Sequence, residues 1–282
     1  MGGALKLGLY GLHRGSSVDP DTLSRRARAA EVAGFESLWV GDHIALPMSQ
    51  DDPPDQPRLE ALVALTYLAA CTVRVRLVAG VIVLPQRQPV LLAKQLASID
   101  ALSRGRLTVG IGVGYMEAEL RALGVALAER AGRTDEYLAA LRALWDEPVP
   151  AVEGRYVAFS GVLQRPRPVQ RPHPPIVVGG WTPPALRRAV REGNGWYGWQ
   201  MDLEQTAQTL SALRETARRE DRPAALGELE ITITPTGPVN VDVASRYRDL
   251  GVHRLALLPS TTDGSAIDDL IASVGDTLIG RV

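Results

Sequence analysis

The sequence predicts an α/β fold, a (β/α)8 TIM barrel with an insertion between the fourth and fifth barrel units. The chain has 282 residues, of which 45% are hydrophobic and 22% charged, and this suits one barrel of ordinary size. Short apolar segments alternate with helix-like segments along it. Eight such pairs can be counted, and regular alternation favours a parallel sheet covered by helices. We therefore expect a single domain over residues 1–282.

The predicted strands are short runs rich in apolar and β-branched residues. The third is the clearest, because its many Val and Leu residues are typical of a parallel strand buried on both faces. In chain order the predicted strands are residues 5–10, 36–40, 75–84, 106–112, 175–180, 195–200, 229–234 and 252–258.

The predicted helices fill the intervals between these strands. Asp19 and Pro20 are a typical N-cap and first-turn proline, and Gly34 is a typical stop signal. The helix at 133–146 places Leu138 and Leu141 on one apolar side. The other predicted helices are residues 59–70, 90–102, 183–192, 203–219, 241–250 and 266–278.

Residues 148–175 depart from the alternation. They contain seven prolines and a hairpin-like patch around 154–159 and 161–163. This composition predicts an extended insertion between the fourth and fifth barrel units, and no domain boundary.

Composition argues against several classes of partner. The formal net charge of -1 provides no basic field for nucleic acid. No apolar run approaches the roughly 20 residues of a membrane span, and residues 1–10 lack the apolar core of a secretory signal. We expect a cytoplasmic protein with a small-molecule substrate. The oligomeric state is left open, with a homodimer as the candidate assembly.

Cysteine and histidine usage points to no metal site. Cys71 is alone, which excludes an internal disulfide and fits a reducing compartment. The histidines are widely spaced and show no metal-ligand pattern; they are His13, His43, His173 and His253.

An Asp-His pair at the end of the second predicted strand is the most informative feature. The strand leads directly into Asp42 and His43, and a proline-rich loop follows, with Pro47, Pro53, Pro54 and Pro57. Polar residues at the carboxyl ends of barrel strands line active sites. His43 could act as a base, donate a hydrogen bond to a cofactor ring, or only cap a strand.

A glycine-rich run follows the fourth predicted strand. Residues 110–117 superficially resemble a dinucleotide-binding fingerprint, but Glu117 occupies the third glycine position and no acidic strand end follows at the expected distance. If a flat ligand binds at this strand end of a barrel, Gly112 and Gly114 would let the backbone come close to it, because they carry no Cβ atom. A plain tight turn from strand to helix is the alternative.

Five segments in order carry a family resemblance. They are AGFESLWVGDH at 33–43, VIVLPQRQP at 81–89, LAKQLASID at 92–100, GRLTVGIGVGY at 105–115, and PIVVGG at 175–180 followed by ALRRAV at 185–190. Across nearly its whole length the chain resembles the luciferase-like monooxygenase superfamily of flavin- and deazaflavin-dependent oxidoreductases. It is most similar to the branch that uses coenzyme F420.

This resemblance implies roles for residues at the strand ends. In F420-dependent members the matching histidine lies by the reactive edge of the deazaflavin and the aspartate contacts the ring or tail, which here implies His43 and Asp42. The end of the third strand would back onto the central ring through a non-prolyl cis peptide near Val81–Ile82; a straight buried strand is the alternative. The cofactor-binding residues so implied are Asp42, His43, Gly80, Val81, Ile82, Gly112, Val113, Gly114, Gly179, Gly180 and Trp181.

The loop after the fifth predicted strand is the implied phosphate site. Thr182 is a plausible N-cap with Pro183 in the first turn, and backbone N–H groups at a helix start favour phosphate. Arg187 and Arg188 could assist an anionic tail. The aromatic side chains of Trp196, Tyr197 and Trp199 could wall a substrate pocket or only pack.

Tyr115 stands where some F420-dependent sugar-phosphate dehydrogenases carry a catalytic glutamate. The chain departs from them, so the Tyr115 hydroxyl or Glu119 could take that role. The resemblance implies an F420-dependent oxidoreductase that exchanges a hydride with a small organic substrate. The alternatives are an FMN-dependent monooxygenase and a non-catalytic flavin-binding protein.

Overall fold

A computed structural model describes residues 4–48, 56–261 and 264–282. The first three residues, and Pro53 and Pro54 of the proline-rich loop, lie outside the described residues. The strands are β1 Lys6–Tyr10, β2 Ser37–Val40, β3 Arg76–Val83, β4 Leu107–Gly112, β5 Val152–Glu153, β6 Ala158–Phe159, β7 Ile176–Gly179, β8 Gly195–Met201, β9 Glu230–Pro235 and β10 Arg254–Leu257. All except β5 and β6 form one closed parallel barrel in the order β1-β2-β3-β4-β7-β8-β9-β10, which confirms the predicted (β/α)8 fold.

The helices cover the outside of this barrel. They are α1 Pro20–Ala33, α2 Ala61–Cys71, α3 Pro89–Leu102, α4 Glu117–Ala122, α5 Arg130–Asp146, α6 Pro183–Glu192, α7 Leu203–Arg219, α8 Val241–Asp249 and α9 Gly264–Thr277. The signals for α1 are confirmed, since Asp19 accepts a 2.8 Å hydrogen bond from the Thr22 amide and Gly34 ends the helix at φ +102°. Helix α4 was not predicted, because six residues are too few to show helical periodicity.

Side chains alternate between the inside and the outside of the barrel, as the two-residue period of a strand requires. Outward-facing Leu, Ile and Val residues pack against the helices. An inner cluster contains Tyr10, Trp39, Val78, Val177, Tyr197 and Ala256. Gly8 makes room for it, because a Cβ there would lie 2.7 Å from the Trp39 Nε1 atom. The barrel is therefore filled and has no open pore.

Ion pairs close the amino-terminal end of the barrel. The Arg254 guanidinium is 3% exposed and donates to Glu36 at 2.8 Å and to Glu230 at 3.1 Å. Lys6 donates to Glu230 at 2.7 Å. The opposite end, where the strands finish, remains the place where polar side chains meet at a mouth.

The predicted insertion lies between β4 and β7 in the chain and packs on the outside of the barrel. Its strands β5 and β6 pair antiparallel. The Glu136 carboxylate on α5 accepts from the Tyr156 amide at 2.7 Å, and the Asp100 carboxylate on α3 accepts from the Val169 amide at 2.6 Å. The insertion therefore covers α3 and α5. Within the described part of the chain, no helix combines the length and apolar character needed to cross a bilayer.

Candidate active site

The residues predicted from the sequence come together on one arc of the barrel mouth. Asp42 and His43 follow β2, Gly80 to Ile82 lie in β3, Gly112 to Tyr115 end and follow β4, and Gly179 to Trp181 end and follow β7. These four strands are consecutive neighbours in the closed sheet. Residues distant in sequence therefore meet on one side of the mouth. Ile82 is the exception among the predicted cofactor-binding residues, because its side chain is fully buried in the core between the barrel and the helices.

Val81 lies at the centre of this arc on a strand irregularity. The pairing of β3 with β4 shifts register between Ala79 and Ile82, and the peptide bond between Gly80 and Val81 is cis. The expected non-prolyl cis peptide is therefore present, one peptide earlier than the expected Val81–Ile82 bond. The Val81 side chain is half-buried at the mouth.

Glycines on the neighbouring strands give Val81 its space. A Cβ atom at Gly112 would lie 2.8 Å from the Val81 side chain, and one at Gly110 or Gly179 would lie 3.1 Å from it. Any larger residue at Gly112 would push Val81 out of place. Gly114 differs, because its φ of +78° begins the turn into α4, as the tight-turn alternative predicted.

The Asp42 carboxylate is bound by the protein itself. It is 4% exposed, and its Oδ2 accepts from the Val83 amide at 3.0 Å and from Arg87 Nε at 3.1 Å. Arg87 Nη2 also donates to Asp42 Oδ1. Burial raises the pKa of the Asp42 carboxyl, against the opposing influence of Arg87 and the Val83 amide. Asp42 thus holds the loop after β2 against the end of β3.

His43 is held by a buried carboxylate. Its Nδ1 atom lies 3.2 Å from Oε2 of Glu119, whose side chain is 2% exposed, while 25% of the His43 side chain remains exposed. Glu119 Oε1 accepts from the Ile44 amide at 2.6 Å and the Ala45 amide at 3.1 Å. Burial raises the pKa of Glu119, but the bonds from His43, Ala45 and Ile44 outweigh it and lower that pKa. With both oxygens bound, Glu119 is poorly placed as the reacting acid.

Tyr115 stands at the outer rim beside His43. The two rings meet edge to face with centroids 6.2 Å apart, and Tyr115 is 73% exposed. Trp181, at 58% exposure, stands at the rim beyond β7. The arc therefore has a half-buried floor at Val81 and exposed aromatic residues on its rim.

Sequence reasoning missed two residues at the end of β1. Tyr10 and His13 are buried, with ring centroids 5.9 Å apart. Burial raises the pKa of Tyr10 to about 12 and, with the nearby charges of Arg14 and Arg58, lowers the pKa of His13 to about 3. His13 Nδ1 has no hydrogen-bond partner among the described residues. Tyr10 and His13 are therefore neutral over most of the pH range, although the charged side chains of Arg14 and Arg58 lie nearby.

Two of the three aromatic residues of β8 pack inside the protein, and the third lies at the mouth. Trp196 is fully buried against the helices and donates from Nε1 to the Gly180 carbonyl at 2.7 Å. The Tyr197 hydroxyl bonds Thr234 Oγ1 at 2.7 Å inside the barrel, and the half-buried Trp199 ring lies 4.7 Å from the Tyr10 ring. Only Trp199 is in a position to touch a bound molecule.

The loop after β7 offers fewer backbone N–H donors than a usual helix start. Gly180 has φ +107°, Thr182 is the N-cap of α6, and its hydroxyl makes no capping bond. Pro183 and Pro184 occupy the first helical positions and carry no N–H. Arg188 is not available, because it donates to Asp135 at 2.8 Å.

The described part of the chain brings no cluster of metal ligands to this arc. Within residues 4–48, 56–261 and 264–282, no three His, Cys, Asp or Glu side chains are grouped so as to hold a metal ion. The groups that could hold a cofactor are the glycine-flanked Val81, the His43 side chain and the loop from Gly179 to Thr182.

The chain is similar to known proteins in sequence and in fold. A family model described as luciferase-like monooxygenase matches residues 7–250. An uncharacterized protein of Mycobacterium tuberculosis is 31% identical over 280 residues, covering 94% of this chain and 95% of that protein. An FMNH2-dependent dimethylsulfone monooxygenase of Pseudomonas putida is 31% identical over 185 residues, covering 64% of this chain and 49% of its own length. The structure of an F420-dependent secondary alcohol dehydrogenase superposes with a TM-score of 0.80 at 17% identity, covering 99% of this chain and 100% of that one.

Proposed function

The chain belongs to the luciferase-like monooxygenase family, and from this premise we propose that it is an F420-dependent oxidoreductase. In this proposal it exchanges a hydride between the deazaflavin and a small organic substrate. The observation that carries the proposal is the Val81 floor, which is half-buried at the mouth and flanked by Gly112 and Gly179. Such a floor accepts the face of a flat tricyclic ring.

The choice of F420 over FMN is supported by the five matching segments, which resemble the F420 branch most.

The residues at the mouth would hold the cofactor in three places. Val81 would support the ring, His43 would stand at its edge, and the loop from Gly179 to Thr182 would bind the phosphate. Bound F420 supplies the hydride chemistry, while the chain orients the two reactants and excludes water. Tyr10 and Trp199 would form the facing wall of the substrate space.

The proposal is tested by hydride transfer with the purified protein. Oxidised F420 is mixed anaerobically with a panel of small alcohols, and reduced F420 with the matching carbonyl compounds, while F420 absorbance is followed. We expect turnover with a subset of the panel. If F420 binds but neither alcohol oxidation nor carbonyl reduction occurs with any member of a broad panel, a non-catalytic flavin-binding protein becomes the better description.

A second candidate is an FMN-dependent monooxygenase. It is favoured by the 31% identity to the Pseudomonas putida enzyme. This reaction needs reduced FMN and oxygen, so it predicts oxygen uptake when the protein is supplied with reduced FMN and an organic substrate. The same assay with F420 would then show no hydride transfer.

A further inference from the structure

Glu119 joins two strand-end loops and uses both of its carboxylate oxygens to do so. It lies in α4, after β4, and is 2% exposed. Its Oε1 accepts from the amides of Ile44 and Ala45 at 2.6 Å and 3.1 Å, and its Oε2 lies 3.2 Å from His43 Nδ1. The carboxylate is therefore fixed on one side by the backbone and faces the imidazole on the other.

This geometry determines where the imidazole proton sits. An ionised carboxylate only accepts hydrogen bonds, and the two amides together with His43 lower the pKa of Glu119 against the effect of burial. The hydrogen between Oε2 and Nδ1 must then belong to His43. In the neutral imidazole the other nitrogen, Nε2, carries a lone pair. A quarter of the His43 side chain is exposed, so Nε2 can face the mouth.

We infer that Glu119 is a positioning residue that fixes the Nδ1–H tautomer of His43 and so presents Nε2 to the substrate as a proton acceptor. The contact between His43 Nε2 and the substrate rests on the proposed function, whereas the tautomer of His43 does not. Carboxylate-bound histidines acquire a defined tautomer and ring orientation in this way. The pair is assembled across 76 residues of sequence.

An acceptor at Nε2 suits substrates that lose a proton together with a hydride. With an alcohol, the C–H electron pair would pass as a hydride to bound oxidised F420, the O–H proton would pass to His43 Nε2, and the C=O bond would form. Glu119 would then stabilise the resulting imidazolium. The substrate class is therefore a small molecule with a hydroxyl on the carbon that donates the hydride.

The alternative role for Glu119 is purely structural, as an anchor for the loop at Ile44 and Ala45. Glu119→Gln separates the two roles. The amide oxygen can still accept from the Ile44 and Ala45 N–H groups, so the loop stays anchored. The amide nitrogen then faces His43 Nδ1 as a donor, which forces the proton to Nε2. Glu117→Gln is the matched control, because Glu117 is exposed on the same helix and pairs with Arg121.

The test is imidazole nitrogen NMR on the full chain without cofactor, with His43 signals assigned by their loss in His43→Gln. We expect the Nδ1–H tautomer of His43 in the wild type and in the control variant Glu117→Gln. In Glu119→Gln we expect the Nε2–H tautomer. An Nε2–H tautomer in the wild type would overturn the inference, and this result needs no variant. An unchanged tautomer in a folded Glu119→Gln protein would overturn it too.

A second measurement links the tautomer to the reaction. With F420 and an alcohol substrate, single-turnover hydride transfer in Glu119→Gln should slow by about 10²- to 10⁴-fold, with F420 affinity retained. A normal rate in a variant with the inverted tautomer would contradict the acceptor role. If F420 fails to bind the wild type, the proposed function fails, while the NMR result still decides the tautomer.

Discussion

The Arg87 guanidinium donates to both carboxylate oxygens of Asp42, through Nε at 3.1 Å to Oδ2 and through Nη2 to Oδ1. The same Nη2 donates to Glu60 at 2.5 Å. Arg87 precedes α3, Asp42 follows β2 and Glu60 caps α2. Arg87 therefore joins the end of β2 to the starts of α2 and α3.

Breaking this pair should destabilise the fold. In Arg87→Met the buried Asp42 carboxylate loses its charged partner, and we expect the free energy of unfolding to fall by about 3–5 kcal/mol. Arg121→Met is the control, since the exposed Arg121–Glu117 pair contributes less than about 1 kcal/mol. Denaturant unfolding measures both. Equally small losses of unfolding free energy in Arg87→Met and Arg121→Met would show that Asp42 is not held by Arg87.

The burial of His13 should make stability depend on pH. Its pKa is lowered from 6.5 to about 3, so between these values the unfolded chain binds a proton that the folded chain does not. The contribution of neutral His13 to the free energy of unfolding is complete above pH 6.5. It is lost as the pH falls from 6.5 toward 3, at about 1.4 kcal/mol per pH unit. The difference in unfolding free energy between wild type and His13→Gln should therefore shrink from pH 6.5 to pH 4.5. A constant difference would contradict a neutral, buried His13.

His43→Ala should separate catalysis from packing. If the imidazole contacts the reacting groups, single-turnover hydride transfer should slow by about 10²- to 10⁴-fold while the protein stays folded. If His43 only packs, the variant should lose about 1 kcal/mol of stability and keep its rate. A melting curve and a single-turnover rate on the same preparation decide between them.

The phosphate loop is tested by Thr182→Val. The hydroxyl makes no capping bond, so stability should change by less than about 0.5 kcal/mol. Loss of a hydrogen bond to a charged group should weaken F420 binding about tenfold or more. A deazaflavin without phosphate is the control ligand, and its affinity should not change. Equal losses for both ligands would place the phosphate elsewhere.

Gly180→Val tests whether the backbone of the same loop lies against the phosphate. Gly180 has φ +107° and a Cβ there would lie 3.2 Å from the Ala185 Cβ, so the variant should lose about 1–3 kcal/mol of stability. F420 affinity should fall as well, because the loop can no longer approach a phosphate. Unchanged affinity in a folded Gly180→Val protein would exclude this loop.

The fold was predictable because its signals are local. Each barrel strand was found within a few residues, as residues 75–84 against Arg76–Val83 show, and prolines marked the insertion. Strand ends then located the arc that contains Asp42, His43 and Val81, because parallel strands finish at one end of a barrel.

The partners of these residues were not predictable, because they depend on contacts between distant segments. Glu119 is 76 residues from His43, and Arg87 is 45 residues from Asp42. His13 gave no signal, since neither spacing nor pattern shows that a histidine beyond β1 is buried beside Tyr10. The tertiary structure alone supplies these relationships.

Cofactor choice is the central claim, and a fluorescence titration tests it most directly. Trp199 is half-buried at the mouth and Trp181 is exposed on its rim, so a bound ring should quench tryptophan emission. The apoprotein is titrated with F420 and, separately, with FMN. We expect F420 to bind at low micromolar concentration, which corresponds to about 8 kcal/mol, with FMN much weaker. FMN binding as tight as or tighter than F420 would contradict the assignment and favour the FMN-dependent monooxygenase.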